Sequence, residues 1–323
     1  QTNVGIDLSV LKARLTFTAE AYLKRTRNLF VDVSLPASVG DVSTIKTNGG
    51  TIENRGLEFA ISSVNLEGRE LTWNTDFNIS LNRNKVAQLT YTKKDVTKGS
   101  IYSNNSYVSL FEEGKPLGLF YGYVAEGVDP DTGDMMYKDV NKNGYFDAGG
   151  DRTVIGDPNP DFIFGITDTL SYKRFDLSVF FQGSYGNDIF NSTRIDLEGM
   201  FDSKNQSTAV LKRWTPENRN TNIPRAGGGT FNVQNSTRFV EDGSYVRLKA
   251  ITLKYNIDPE RLSKLGISGL SVYATGQNLL TFTKYSGFDP EVNAFGRSPM
   301  ELGIDYGTYP QAITVIFGVN VEF

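Results

Sequence analysis

Apolar and polar residues alternate with a period of two along most of the chain, and helical periodicity is nearly absent. In the segment LTFTAEAYLK at 15–24, for example, every second residue is apolar up to Leu23, and those between are mostly polar. Such alternation predicts β-strands with one apolar and one polar face. Nine strands are predicted, near residues 4–10, 15–23, 57–61, 71–81, 161–172, 175–181, 243–257, 270–274 and 313–323.

One predicted strand contains a break in this alternation. Between 243 and 257 the apolar positions change from Val246 and Leu248 to Ile251 and Leu253. Because one extra residue in a strand shifts every following side chain to the other face, we expect a β-bulge near Ala250.

The connections between the predicted strands alternate in length. Tight turns are predicted at 11–13, 67–69 and 173, and a moderately short connection at 258–267. Four connections are long and rich in Gly, Asn, Asp, Ser and Pro: 32–52, 89–160, 186–242 and 286–308. Short turns at one end and long loops at the other are typical of outer-membrane β-barrels, whose turns lie in the periplasm and whose loops are extracellular.

The end of the chain and the number of strands add to this interpretation. Phe323 closes the last predicted strand with an aromatic residue, which resembles the signal that directs outer-membrane barrels to insertion. Nine strands would place Gln1 and Phe323 on opposite sides of the membrane, whereas a complete bacterial barrel has an even number of strands. We therefore expect residues 1–323 to form the C-terminal part of one larger barrel, without its plug domain or signal peptide.

A soluble carbohydrate-binding β-sandwich is the alternative all-β fold, since its strands alternate in the same way. Sandwich strands average about 5–6 residues, however, and several strands here exceed the roughly 9–11 residues that span a bilayer. A mean hydropathy of -0.32 does not argue against a barrel, because the polar residues of its lumen offset the apolar residues that face lipid. The sequence favours an antiparallel transmembrane β-barrel.

Composition argues against an enzyme. The chain has no Cys and no His, which removes thiol nucleophiles, histidine-based triads and most zinc sites. Adjacent carboxylates such as Glu112 and Glu113 raise the alternative of a glycosidase, but closeness in sequence says little about the spacing that this chemistry needs. The net charge of -4 and the absence of a basic run make nucleic acid an unexpected partner.

Nine segments, taken together and in order, resemble the SusC/RagA-type TonB-linked outer-membrane proteins of Bacteroidota. They are GIDLSVLKARLTFTAEAYLKRTRNL at 5–29, ENRGLEFAI at 53–61, GKPLGLFYGYVAEGV at 114–128, YKDVNKNGYFD at 137–147, DRTVIGDPNPDFIFG at 151–165, FFQGSYGNDIFN at 180–191, RWTPEN at 213–218, FVEDGSYVRLKAITLKY at 239–255 and GQNLLTFTKYSGFDPE at 276–291.

The resemblance implies a barrel of about 22 strands that contains an N-terminal plug. It further implies energy supplied through TonB, a SusD-like surface lipoprotein as partner, and import of oligosaccharides or peptides. No plug or TonB-contacting residue can be carried over, and the substrate-binding residues remain unknown. A passive porin or an adhesion barrel is the alternative that shares the strands.

The segment 139–147, DVNKNGYFD, has oxygen-bearing side chains at alternate positions and glycine at the sixth. This pattern resembles the first half of an EF-hand calcium loop, in which the glycine permits a sharp turn. The twelfth position is glycine, and the nearest carboxylate lies one residue later. The expected calcium ligands are Asp139, Asn141, Asn143, the carbonyl of Tyr145, Asp147 and Asp151. The alternative is a turn rich in Asp, Asn and Gly that satisfies its own backbone without metal.

Aromatic residues fall into two groups. Those in the long loops could stack on sugar rings or pack the loops against one another: Tyr121, Tyr123, Trp214, Tyr285 and Phe295. Those near strand ends are predicted to form the interfacial girdles of the barrel: Trp73, Tyr172, Tyr185 and Tyr273.

Overall fold

A computed structural model describes residues 1–34, 44–90, 94–101, 106–258, 266–296, 298 and 300–323. Within these ranges the α-helix is α1 (Thr193–Gly199), and no helix is both long and apolar enough to cross a membrane. The strands, in chain order, are β1 (Thr2–Val10), β2 (Leu15–Ser34), β3 (Thr44–Glu67), β4 (Leu71–Leu89), β5 (Lys94–Ile101), β6 (Ser106–Glu112), β7 (Leu119–Gly122), β8 (Ala125–Val128), β9 (Met135–Tyr137), β10 (Thr153–Gly156), β11 (Phe162–Tyr172), β12 (Phe175–Tyr185), β13 (Asp188–Asn191), β14 (Val240–Asp242), β15 (Tyr245–Asn256), β16 (Gly269–Thr283), β17 (Ile304–Asp305) and β18 (Thr314–Glu322).

Nine of these strands form one large sheet in the order β1-β2-β3-β4-β11-β12-β15-β16-β18. Every neighbouring pair is antiparallel. The nine strands predicted from alternation are therefore confirmed, and so is the antiparallel all-β class. The sheet is open, because β1 and β18 lie at its two edges.

The register of the large sheet separates apolar from polar side chains. One row across four strands is wholly apolar: Phe17, Ile61, Phe77 and Ile166. The adjacent row, one residue along each strand, is wholly polar: Thr16, Ser62, Asp76 and Thr167. In a membrane barrel the apolar face contacts lipid and the polar face lines the lumen. We call these the outer face and the lumen face.

Three strands extend far beyond the length that a membrane requires. β2, β3 and β4 contain 20, 24 and 19 residues. The predicted long loop at 32–52 is therefore wrong, since β2 continues to Ser34 and β3 begins at Thr44, which pairs with it. Alternation fades there, while backbone pairing continues. Residues 35–43 lie outside the described part.

The other long connections carry structure of their own. The region 89–160 contains β5 to β10, the region 186–242 contains α1, β13 and β14, and the region 286–308 contains β17. The predicted bulge near Ala250 is confirmed, because the pairing of β15 with both neighbours shifts between Leu248 and Ala250. Of the connection predicted at 258–267, residues 259–265 lie outside the described ranges.

The open sheet leads to the first testable expectation. Edge strands expose unpaired backbone groups, and lipid offers no hydrogen-bonding partner for them. Residues 1–323 expressed alone and refolded in detergent should therefore not give a heat-resistant monomer on a semi-native gel. A closed β-barrel refolded in the same detergent is the positive control. A monodisperse, heat-resistant monomer of the isolated chain would show that its edges can be satisfied internally.

Candidate functional site at the barrel mouth

The long connections fold together on one end of the large sheet, and we call this folded unit the cap. It comprises the described parts of 90–161, 186–244 and 284–313. Phe190 is fully buried, with its ring 5.7 Å from the ring of Phe120 and 6.3 Å from that of Phe239. All three connections contribute to this core, whose members are Val108, Phe120, Phe190, Ile195, Val233, Phe239 and Ile304.

Short strands connect the three segments of the cap. β17 pairs in parallel with β13, so that Phe190 lies beside Ile304. A further bridge joins Tyr123 to Ser236. Gly122 permits this close approach, because a Cβ atom there would lie 2.1 Å from the carbonyl oxygen of Asn235. The cap is thus a packed structure with backbone pairing between segments distant in sequence.

Charged side chains stabilise the helical part of the cap. Arg238 and Glu198, both nearly buried, form an ion pair at 3.0 Å, and Arg194 bridges Glu198 at 2.8 Å and Glu241 at 3.1 Å. Burial acts to raise the pKa of Glu241, but hydrogen bonds from Ser286 and the charge of Arg194 outweigh it and lower the pKa. Glu241 therefore stays ionised at neutral pH and links two connections of the cap.

A second ion-pair cluster holds the connection 284–313 against the lumen face. Arg247 of β15 is only 2% exposed and donates to Asp289 Oδ1 at 2.6 Å and to Glu291 Oε2 at 2.8 Å. Its Nε donates to Thr281 of β16 at 2.9 Å, and the Tyr245 hydroxyl donates to Glu291 at 2.8 Å. We call this arrangement the Arg247 clamp.

The predicted calcium ligands lie in one loop, residues 139–151. Asp139 accepts hydrogen bonds from Asn143 N at 3.2 Å and Gly144 N at 2.7 Å. Gly144 has a φ of 94°, as expected for the sharp turn. Asp151 is fully buried and accepts from Val140 N at 2.8 Å and from Asp147 N at 2.7 Å. The two aspartates therefore fold the loop back on itself.

Asp147 lies between the side-chain amides of this loop. The Nδ2 atoms of Asn141 and Asn143 donate to Asp147 Oδ2 at 2.8 Å and 3.0 Å. Hydrogen bonds from Gly150 N and then from Asn141 hold the pKa of Asp147 below its usual value. Among the described residues, no group of three or more His, Cys, Asp or Glu side chains is arranged to hold a metal ion. Calcium binding here therefore stays a prediction that depends on amide and backbone oxygens as well.

The five loop aromatics contact protein rather than standing free. Tyr123 is 5% exposed and packs on Tyr137 and Phe146, and Tyr285 is 6% exposed and donates to Asp305 at 2.5 Å. The remaining three are partly buried: Tyr121 beneath the Arg152 guanidinium, Trp214 against the Tyr123 cluster and Phe295 against the cap core. Packing, rather than stacking on sugar, is the arrangement these contacts favour.

Sequence reasoning missed the two most exposed aromatic residues among those described in the cap. Phe288 is 83% exposed and Tyr309 is 89% exposed, and both belong to the connection held by the Arg247 clamp. Neither alternation nor spacing marks them in the sequence. They are candidates for ligand contact because a fixed loop presents an aromatic surface to solvent.

Three of the four predicted girdle residues lie on the outer face. Trp73, Tyr172 and Tyr185 are 42%, 50% and 55% exposed and continue the apolar rows. The prediction for Tyr273 is wrong. Its neighbours in β16, Val272 and Ala274, occupy the outer face, so the Tyr273 side chain lies on the lumen face, over the Cα of Gly318.

Comparison with known proteins identifies the chain, although no family model matches it. The TonB-dependent receptor P3 of Formosa agariphila is 36% identical over 345 residues, covering 100% of this chain and 34% of that protein. The TonB-dependent receptor SusC of Bacteroides thetaiotaomicron is 29% identical over 336 residues, covering 99% of this chain and 31% of that protein. The chain belongs to the SusC/RagA-type TonB-dependent receptors. It spans about one third of the length of these relatives.

The fold comparison agrees with this assignment. A structure of the RagAB peptide transporter matches with a TM-score of 0.84 at 22% identity, over 99% of this chain and 34% of that one. A further structure of the RagAB peptide importer, in the open-open state, matches with a TM-score of 0.81. The large sheet is therefore part of a receptor barrel, and the β-sandwich alternative is wrong. The receptor belongs to a family of outer-membrane transporters that are not enzymes, as predicted.

Proposed function

We propose that the native receptor imports a nutrient, an oligosaccharide or a peptide, across the outer membrane in a TonB-dependent manner, as the SusC-like component of a complex with a SusD-like lipoprotein. The observation that carries this proposal is the cap. Its three connections share one buried core and two ion-pair clusters, so it presents a fixed surface above the lumen. A fixed surface suits both enclosure of a ligand and contact with a lid protein.

The passive porin or adhesion barrel is the competing function. A porin needs an open, water-filled lumen, whereas other barrels are plugged by loops or a helix. Here the Arg247 clamp attaches residues 289–291 to the lumen face itself, and a connection held against that face supports a gated importer. The proposal for TonB and for the lipoprotein rests on family membership together with this geometry.

Affinity purification and uptake measurements test the two parts of the proposal. The native receptor, purified from its own outer membrane in mild detergent, should recover a SusD-like lipoprotein in a fixed ratio. Growth on the limiting nutrient that induces the receptor should stop when TonB is deleted, because no passive route admits the ligand. Recovery of the barrel alone would contradict the partner, and TonB-independent uptake would support the porin instead.

We further propose that the loop 139–151 binds Ca²⁺ in a structural role. Support comes from the oxygen-bearing side chains of this loop, of which Asn141 and Asn143 contact Asp147, and from the glycine turn at Gly144. The loop folds without a bidentate acid at its twelfth position, so the affinity should resemble that of weak extracellular modules, with a Kd of about 10⁻⁴ to 10⁻³ M. Magnesium should bind poorly, because it demands near-octahedral geometry and releases water reluctantly.

Limited proteolysis tests the calcium proposal. Millimolar calcium should slow cleavage of the loop in the native receptor, and Asp139→Ala should abolish this response. Asp131→Ala is the matched control, since Asp131 lies in the same cap but pairs only with the exposed Arg219. If calcium leaves cleavage unchanged in both the wild type and the control, the turn satisfies its own backbone without metal.

A further inference from the structure

Basic side chains replace apolar ones on the outer face of β2, β3 and β4 towards the cap. The last apolar row across these strands is Ala21, Leu57 and Leu81. The next two rows contain Leu23, one acid and four basic residues: Glu53, Arg25, Arg55, Arg83 and Lys85. Pairing is regular through these rows, so their side chains keep the parity of the apolar face.

Arg83 has its partners within the protein. Its guanidinium donates to Asp161 Oδ1 at 2.6 Å and to the carbonyls of Pro160 and Asp161 at 3.2 Å and 3.0 Å. These contacts attach the segment before β11 to β4. The charge of Arg83 is therefore neutralised by Asp161, and we do not count it among the groups that an external anion would meet.

The other three cations are free and close together. Arg25, Arg55 and Lys85, which we call the basic cluster, are exposed and form no side-chain hydrogen bond or ion pair within the described part of the chain. Arg25 and Lys85 lie on either side of Glu53, and Arg55 follows it by two residues in β3. Neighbouring strands are about 4.8 Å apart, so the three Cα atoms lie within about 10 Å of one another. One carboxylate offsets one of three positive charges, and the site remains cationic.

The basic cluster faces away from the lumen. Val86, which follows Lys85, is 2% exposed and packs against Leu117 of the cap. Asn84, which precedes Lys85, accepts from Leu117 N at 2.6 Å. Because successive side chains of a strand point to opposite faces, the cap covers the lumen side of β4 here and Lys85 points outward. The other two cations of the cluster share its parity and therefore its direction.

The length of β4 gives the height of the basic cluster above the periplasmic girdle. Trp73 lies near the tight turn after β3, and Arg83 lies ten residues further along the strand. Strands rise about 3.3 Å per residue and barrel strands tilt by about 40°, so ten residues climb about 25 Å along the membrane normal. The apolar band of an outer-membrane barrel is about 25 Å tall. Since Arg55 pairs with Arg83, the cluster begins where this band ends on the extracellular side.

Tyr185 marks the same boundary independently. Its side chain is 55% exposed on the outer face, and Phe162 of β11 pairs with it and stacks on its ring. Because Ile163 pairs with Ser80 of β4, this row is that of Leu81, directly below the basic cluster. Tyrosine is enriched where the hydrocarbon core meets the headgroups. The basic cluster therefore lies at the level of the headgroups of the outer leaflet.

We propose that the basic cluster binds the phosphate groups of a phosphorylated glycolipid of the outer leaflet, of the lipid A type. Its acyl chains run along the apolar rows directly below, which include Phe59 and Ile79. An arginine guanidinium matches a phosphate with two parallel hydrogen bonds, and a lysine ammonium adds a point charge. The order of groups in such a lipid, with phosphorylated sugars above acyl chains, is the order of cationic and apolar rows on these strands.

Retention of defined lipids by the native receptor tests the site. The receptor is purified from its own outer membrane, washed with detergent, and equilibrated with lipid A that carries its phosphates or has lost them. Lipid that remains after gel filtration is counted by mass spectrometry. The phosphorylated form should be retained about tenfold more than the dephosphorylated form, as expected for charge-assisted hydrogen bonds. This preference should fall as salt rises, because exposed charges are screened.

Substitutions assign the preference to the basic cluster. Arg55→Gln and Lys85→Gln should each lose most of it and stay heat-resistant on a semi-native gel, since neither side chain has a partner in the described part of the chain. Lys24→Gln is the matched control, because Lys24 precedes Arg25 in β2 but pairs with Asn54 on the lumen face. It should retain the lipid as the wild type does.

Four results would overturn the proposal. Equal retention of the two lipids by the wild type, or a preference that does not change with salt, would indicate an unspecific lipid annulus. Unchanged retention in both Arg55→Gln and Lys85→Gln would place the phosphate elsewhere, and an equal loss in Lys24→Gln would indicate a general effect of charge. A protein that copurifies with the wild type and is lost in Arg55→Gln would assign the cluster to a protein partner instead.

Discussion

Replacing Arg247 by alanine should release the connection 284–313 from the lumen face while leaving the barrel inserted. Arg247 is 2% exposed and Asp289 is 5% exposed, so the substitution leaves the buried Asp289 carboxylate without its cation. Removing one partner of a buried ion pair typically costs about 3–5 kcal/mol, because the remaining charge is uncompensated. That cost is a large fraction of the stability that a local element possesses.

Hydrogen exchange of the native receptor measures this effect. Amides near Asp289 should exchange at least about 100-fold faster in Arg247→Ala, which corresponds to about 3 kcal/mol of local opening. Arg219→Ala is the matched control, since Arg219 pairs with Asp131 at the surface and such pairs contribute below about 1 kcal/mol. If both variants exchange alike, the clamp does not hold the connection.

The clamp should also respond to acid. Burial acts to raise the pKa of Asp289, but hydrogen bonds from Gln311 N and Glu291 N and the charge of Arg247 outweigh it, so the pKa is lowered. A carboxyl with a lowered pKa in the folded state contributes stability that is present above its unfolded pKa and is lost as pH falls through the folded value. The connection should therefore stay attached at neutral pH and loosen as pH falls through the folded pKa of Asp289.

The sequence predicted the large sheet well because the signal for it is local. Each strand is marked by its own alternation. The bulge at Lys249 is visible because the apolar positions change from even-numbered to odd-numbered residues within one segment. The boundary error at 32–52 has the opposite cause. Alternation marks no strand there, yet backbone pairing continues, so β2 and β3 extend into a sequence that reads as a loop.

The candidate site was much harder to predict from the sequence, because its contacts join residues far apart in the chain. Arg247 and Asp289 are 42 residues apart, and Phe190 pairs with Ile304 across more than one hundred. No local pattern links them. The basic cluster was detectable in part, because Lys85 continues the apolar parity of its strand. That its three cations meet around one acid depends on the register of β2, β3 and β4, which alternation does not determine.

Replacing Phe190 by alanine should unfold the cap without opening the large sheet. The ring is fully buried at the centre of the core and contacts the rings of Phe120 and Phe239. Truncation of a buried phenylalanine typically costs about 3–5 kcal/mol, from lost burial and from the cavity left behind. Because Phe190 belongs to β13, which pairs with β14 and β17, its loss should loosen the contact between two connections of the cap.

Hydrogen exchange and a semi-native gel together distinguish the cap from the barrel. In Phe190→Ala, amides of β6, β7 and β13 should exchange faster, whereas those of β12 and β15 should be unchanged and the receptor should stay heat-resistant on a semi-native gel. Phe288→Ala is the matched control, because the same residue type is 83% exposed there and its truncation creates no cavity. Equal exchange in the cap and the large sheet of Phe190→Ala would mean that the two unfold as one cooperative unit. In that case the cap could not open during transport while the barrel remains in the membrane, and movement of the ligand past the Arg247 clamp would require rearrangement of the connection 284–313 alone.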